Sequence, residues 1–239
     1  MKRIMIVFAS MFLSFATFSI TMDEVMEKVE KNMIHTKVTY ISTMKVTSDD
    51  GERTIKMKMY VKDKANVLVE VIESSEGGKS RFLKKDDAMW LFIPAAGRSV
   101  LIKGHMLKEG FMGSTFSYED ISEVRKLRDI YDIELEEDSL YYVLTMTAKV
   151  DNAPYKLKKS YVMKDVFLPK REEIYSSSNR LLKEIEIVDY IEIEGINIPT
   201  KLFMRDLLQK NNFTEITYKK IDLTTKIPDS YFTKTFLER

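Results

Sequence analysis

From residue 38 onward the chain is written mostly in period two. Val38, Tyr40, Met44 and Val46 alternate with Lys37, Thr39, Thr43 and Lys45, and Ser42 is the one polar residue on the apolar side. Strict alternation places one side chain set in a core and the other in water, which is a half-buried strand. Asp49-Asp50-Gly51 supplies a turn. Ile55, Met57, Met59 and Val61 then share a face opposite Thr54, Lys56, Lys58 and Lys62, so the two segments form a hairpin. Further strands are predicted over 66–72, 80–84, 88–93 and 99–103. The connections between them hold only a few residues, too few for a parallel crossover, so this part of the sheet is antiparallel. The alternation resumes at 130–136, 141–149, 158–164, 170–176, 181–190, 198–205 and 213–221. Glu194-Gly195-Ile196-Asn197 and Asn211-Asn212 are the clearest turns among them, because Gly and Asn tolerate positive φ.

Helical spacing is confined to the two ends. Met22, Val25, Met26, Val29 and Met33 recur at three- and four-residue steps behind Thr21-Met22-Asp23-Glu24, which has the spacing of a capping box. A helix is predicted over 22–34. Pro228-Asp229-Ser230 precedes a short terminal helix over 231–237, capped by Asp229 or Ser230. Ten or more strands with one long helix first and one short helix last describe an α+β chain built on a single large curved antiparallel sheet. The pattern fails only over 104–119. There FMGSTFSYED (111–120) sets aromatics and a methionine around a Gly-Ser pair and closes on two carboxylates. Glycine at 110 and 113 weakens both helix and strand, so this stretch reads as a structured loop or lid, long enough to be functional.

The N-terminus changes the picture of where the chain works. Lys2 and Arg3 precede an uncharged stretch over 4–22 with small residues near its end, the layout of a signal peptide cleaved after Ser19. The competing reading is an uncleaved anchor, since the stretch approaches the ~20 residues that span a bilayer. Residues 1–19 are therefore expected to be a leader and 20–239 a single exported domain. There is no cysteine, so the chain is not itself a lipid-modified lipoprotein and gains nothing from disulfides. Formal charge is +1 from 38 basic and 37 acidic residues, and removal of Lys2 and Arg3 turns it to −1. Such a balance excludes nucleic acid as the main partner. Fifteen methionines, three of them in the leader, suit an adaptable apolar surface or ordinary core filling.

Catalytic chemistry finds little to work with. The chain lacks a thiol and has two histidines, His35 and His105, neither in a nucleophile–base or metal-ligand motif. No catalytic residue, metal or cofactor is expected. Gly77-Gly78-Lys79-Ser80 resembles the end of a phosphate loop, but Glu73 stands where its first glycine belongs and a strand follows, so it reads as a hairpin turn. Glu119 and Asp120 are expected to cap a following turn or to pair with Arg125 or Arg128 rather than to act as acid and base. Glu134, Glu136, Glu137 and Asp138, set against Ile133 and Leu135, form the solvent face of a strand.

The apolar supply is the stronger signal. A curved sheet with a helix laid across it can enclose an apolar cavity. Candidate lining residues are Met57, Met59, Trp90 and Phe92 from strands, and Phe111, Met112, Phe116 and Tyr118 from the loop; a filled core is the alternative. Trp90 and Phe92 share one face of their strand while Met89, Leu91 and Ile93 occupy the other, so both faces need cover.

MWLFIP (89–94) and FMGSTFSYED, with GINIP (195–199) and the closing DSYFTKTFLER (229–239), resemble the LolA-like outer-membrane lipoprotein-sorting family. The resemblance implies an unclosed antiparallel β-barrel of about 10–12 strands, with a concave hydrophobic surface and a helical lid. It implies that 20–239 is a lipid-binding domain working in the periplasm, a monomeric, non-enzymatic carrier of lipid or lipoprotein acyl chains between an inner-membrane transporter and an outer-membrane acceptor. It also implies an arginine that ties the lid shut, for which Arg53, Arg81 and Arg98 are candidates. The alternative is an interaction module that docks on an envelope lipid or RND-type exporter through FMGSTFSYED.

Overall fold

A computed structural model of the chain describes residues 20–33, 35–122, 127–209 and 211–239. The expected leader and Arg125 lie outside them. The capping box forms: the Thr21 N–H donates to the Glu24 carboxylate at 2.8 Å, and the Glu24 N–H to the Thr21 hydroxyl at 3.3 Å. These bonds satisfy donors that a helix start otherwise leaves open, and α1 (Met22–Met33) follows.

Six strands come next: β1 (Val38–Ser48), β2 (Gly51–Val61), β3 (Asn66–Ser74), β4 (Arg81–Lys85), β5 (Ala88–Ile93) and β6 (Arg98–Ile102). A long segment then carries the short helices α2 (Tyr118–Ser122) and α3 (Leu127–Ile130). Seven more strands complete the sheet: β7 (Tyr131–Glu137), β8 (Tyr141–Ala148), β9 (Leu157–Met163), β10 (Pro169–Tyr175), β11 (Leu181–Ile193), β12 (Ile196–Asp206) and β13 (Phe213–Asp222). All thirteen join one antiparallel sheet, slightly more than expected, because even the five-residue β4 and β6 enter the ladder.

The order is β6-β5-β4-β3-β2-β1-β13-β12-β11-β10-β9-β8-β7. First and last strands therefore meet at the centre, where Thr43 lies opposite Lys56 on one side and Thr217 on the other. The edges β6 and β7 do not pair, so the barrel is unclosed. Chain order nevertheless joins those edges, and the connection between Ile102 and Tyr131 must travel from one to the other.

Residues directly opposed in antiparallel strands share a face. The series Leu144, Ser160, Glu172, Ile185, Met204, Thr214 and Val46 traces one such face across seven strands, β8 to β1. On this face α1 packs Val25 and Met26 against Leu144 and Val162, and the connection packs Phe111 and Tyr118 against Met44 and Val46. Helix and connection thus lie over the same concave side. Each fully buried side chain of the size of Met26 contributes about 1.5–3 kcal/mol through removal from water.

The C-terminus covers the reverse face. Phe232 and Leu237 pack against Leu68, Leu83, Trp90 and Phe92, which answers the two-sided apolarity of β5. The expected single helix over 231–237 is split into a 3-10 turn, Asp229–Phe232, and α4 (Lys234–Leu237). Its cap is Thr233, not Asp229 or Ser230. Thr233 has extended backbone at φ −128°, and its hydroxyl accepts the Phe236 N–H at 3.2 Å. Asp229 is engaged elsewhere, 2.7 Å from Lys62.

Candidate functional site

The concave side encloses a cavity of 390 Å³ between β1–β4, β13 and the crossing connection. Period-two alternation supplies its walls: Met44 from β1, Met57 and Met59 from β2, Val69 from β3, Phe82 from β4 and Ile216 from β13. Phe111, Phe116 and Ile121 cover it from the connection. A smaller cavity of 120 Å³ adjoins it, sharing Met33, His35, Val38, Tyr40 and Tyr218 and adding Ile198, Pro199, Leu202 and Ile221. Ser42, the one polar residue of its strand face, is fully buried and donates to the Met59 sulfur at 3.7 Å. Tyr40 and Tyr218 meet edge to face at 5.1 Å. Burial drives both phenols upward, Tyr218 to about 12, so both stay neutral.

The structure brings four of the eight predicted residues together here: Met57, Met59, Phe111 and Phe116. Met112 and Tyr118 line a separate pocket of 250 Å³ beside Arg53, and Tyr118 forms an aromatic triad with Phe82 and Phe111. Trp90 and Phe92 sit on the reverse face under the C-terminal segment, because the strand's alternation sends Met89 and Leu91 inward instead. Sequence reasoning missed Tyr218 and Ile216, although the alternation of β13 marks them. It missed His35 and Lys84 because nothing local says that they face a cavity.

The connection is held down at several points. The Phe111 N–H donates to the Phe116 carbonyl at 2.6 Å, and Gly110 bridges Ser117. The Thr115 N–H donates to the Thr214 hydroxyl at 3.0 Å, and the Thr115 hydroxyl to the Met204 carbonyl at 3.2 Å. The two glycines act differently from one another. Gly113 adopts left-handed φ +71°, following Met112 at φ 48°, whereas Gly110 has ordinary φ and is needed because a Cβ there would strike the Ser114 carbonyl. A Cβ on Gly113 would strike the Arg53 guanidinium, which donates to the Gly113 carbonyl. Of the three candidate arginines, Arg53 is thus the one that contacts this segment. Arg81 donates instead to the carbonyls of Phe236, at 3.3 Å, and Arg239, while Arg98 is exposed on β6.

A buried polar network fastens the far end. Ser117 and Asp120 cap α2 reciprocally, with the Ser117 N–H donating to the Asp120 carboxylate at 2.7 Å and the Asp120 N–H to the Ser117 hydroxyl at 3.0 Å. This is the expected capping role. Asp120 also meets Lys183 at 2.8 Å and the Tyr155 hydroxyl at 2.6 Å; of the two arginines considered for Glu119 and Asp120, Arg128 meets Asp23 at 2.6 Å and Arg125 lies outside the described residues. Lys183 reaches Asp120 because β11 presents it on the concave face under α2. Burial pushes the Asp120 carboxyl upward, but the Lys183 charge and the bonds from Lys183, Tyr155 and Ser117 outweigh it and hold the group below its ordinary value. Among the described residues no group of three His, Asp or Glu side chains is placed to hold a metal ion, and no helix is long and apolar enough to cross a membrane.

The model of a family described only as an uncharacterized protein matches residues 62–239. The chain belongs to that family. No curated protein matches it. Three solved structures share its architecture over nearly the whole chain. A LolA superfamily protein from Nitrosomonas europaea is 22% identical, with TM-score 0.74, covering 91% of this chain and 100% of the other. A putative outer membrane lipoprotein-sorting protein domain from Vibrio parahaemolyticus is 19% identical, with TM-score 0.74, covering 91% and 96%. A DUF1329 family protein from Desulfovibrio piger is 23% identical, with TM-score 0.75, covering 90% and 96%. The fold is LolA-like.

Proposed function

We propose that this LolA-like chain is a non-enzymatic periplasmic carrier that holds a lipid or lipoprotein acyl chain in the cavity for transfer between envelope membranes. The observation that carries the reading is the 390 Å³ cavity itself, walled by Met44, Met57, Met59, Val69, Phe82 and Phe111. Flexible, polarizable methionines can repack around chains of different length, and an apolar concavity with few polar groups is what an acyl chain needs. The putative lipoprotein-sorting domain from Vibrio parahaemolyticus has the same fold and lends further support. In this reading residues 1–19 are the leader and 20–239 the working monomer, with an inner-membrane transporter as donor and an outer-membrane protein as acceptor.

The docking alternative draws less support, since Phe111 and Tyr118 of FMGSTFSYED are 7% and 5% exposed and offer a partner little surface. Solvent extraction of the exported, purified chain followed by mass spectrometry tests the carrier. A co-purified lipid, or saturable binding of an acyl-chain fluorophore that Met57→Asp abolishes, is the expected result. A chain that carries no lipid and binds no fluorophore would sink the proposal.

A further inference from the structure

The cavity is polar at one end only. His35 precedes β1, Lys64 lies in the β2–β3 turn, and Lys84 is opposite Val67 at the start of β3, so all three sit at the same end of their strands. The register of β1 with β2 fixes this, because Val38 faces Val61 there while Ser48 faces Gly51 at the other end. Toward that other end the lining becomes Met44, Met57, Val69 and Phe111, and Arg53 is tied to Gly113. Lys84 is 4% exposed and already engaged within the protein, whereas His35 Nε2 is buried with no hydrogen-bond partner. A buried polar atom without a partner costs about 1–3 kcal/mol, which a ligand oxygen at that point would recover. The nearby Asp63 is tied into the β2–β3 turn, its Oδ1 accepting from the Ala65 and Asn66 N–H groups at 2.8 Å and from the Asn66 amide at 2.9 Å. The cavity volume lies near the low end of the range of about 300–1,000 Å³ typical of pockets for one small ligand.

We infer that the cavity takes a single-chain amphiphile with an anionic head, the head held by Lys64, Lys84 and His35 and the chain pointing along the strands toward Met57 and Phe111. The assignment rests on the acyl-carrier reading and adds to it the number of chains, the charge of the head and the direction of insertion. Lys64 and Lys84 attract the carboxylate or phosphate, and His35, as the Nε2–H tautomer, donates to one of its oxygens.

Binding of cis-parinaric acid and of its methyl ester to the delipidated chain, followed by fluorescence, separates the two ideas. The acid should bind about tenfold tighter than the ester, the scale of one charge-assisted contact. Lys64→Gln and Lys84→Gln should each lower affinity for the acid several-fold more than affinity for the ester, and retained ester binding reports that the variants are folded; an equal loss for both probes would overturn the assignment. Lys64 is the partly exposed member, so its variant serves even where Lys84→Gln fails to fold. Equal affinity for acid and ester overturns the anionic head but leaves the carrier standing. Binding of neither overturns both. Competition by laurate and by lysophosphatidylglycerol then tells a free carboxylate from a phosphate head, and equal competition by monolaurin, an uncharged single-chain lipid, also overturns the assignment.

Discussion

The two halves of the concave side solve the same problem in opposite ways. Over β7–β9 the sheet is filled: Val25 and Met26 of α1 seat on Leu144 and Val162, and the Asn32 amide donates to the Val166 carbonyl at 2.8 Å. Over β1–β4 the connection covers the sheet without filling it, and 390 Å³ remains. Between them runs the Asp120–Lys183–Tyr155 network. The difference teaches that one half acts as a foundation and the other as a container, with the connection anchored on the first and stretched over the second.

The sharpest way to break that division is Lys183→Ala. It leaves Asp120 buried without its cation, and loss of one partner of a buried pair costs about 3–5 kcal/mol. Urea unfolding at neutral pH should show it. The same pair predicts a pH dependence. Because the folded Asp120 pKa is lowered, its contribution is fully present above the ordinary carboxylate pKa and is lost as pH falls through that range toward the folded value. Urea midpoints at pH 7 and pH 2.5 should therefore differ less in Asp120→Asn than in the natural chain; an unchanged difference would remove the network from this role.

Next in size is a matched pair. Met26→Ala empties a packed site and should cost about 2–5 kcal/mol, whereas Met59→Ala merely widens an existing cavity and should cost about 1 kcal/mol or less. Equal costs would mean that both halves are packed alike. Gly113→Ala should destabilise by about 1–2 kcal/mol through its left-handed backbone, and it should also displace Arg53 and raise the off-rate of a bound acyl fluorophore. The smallest expected effect lies on the reverse face. Thr233→Ala removes a cap worth about 1 kcal/mol, and the fraying of α4 should red-shift the emission of Trp90, the single tryptophan.

Most of this architecture was legible because side chains alternate. Tyr40, Met44, Met57 and Met59 declare their inward face locally, and Thr21 with Glu24 declares the start of α1. Legibility ended where distant segments decide. Nothing near Asp120 in the sequence announces Lys183, which arrives from β11. Trp90 and Phe92 look like lining as much as Met89 and Leu91 do, and only the return of Phe232 and Leu237 settles which face they serve. Gly110 and Gly113 read alike in the sequence; contact with Ser114 and Arg53 separates them.

The meeting of β1 with β13 at the centre of the sheet has a consequence for synthesis. Each arm, β1–β6 and β7–β13, is a run of neighbouring hairpins that can zip locally. The seam that joins them, where Thr43 faces Thr217, cannot form until almost the whole chain exists. At about 5–20 residues per second, the free edge of β1 waits on the order of ten seconds or more for its partner. During that interval it is an open row of N–H and C=O groups beside an apolar face, the kind of edge that recruits foreign strands. Lys45, Lys56 and Lys58, interleaved with the apolar residues of β1 and β2, are the charges that stand guard there until β13 docks.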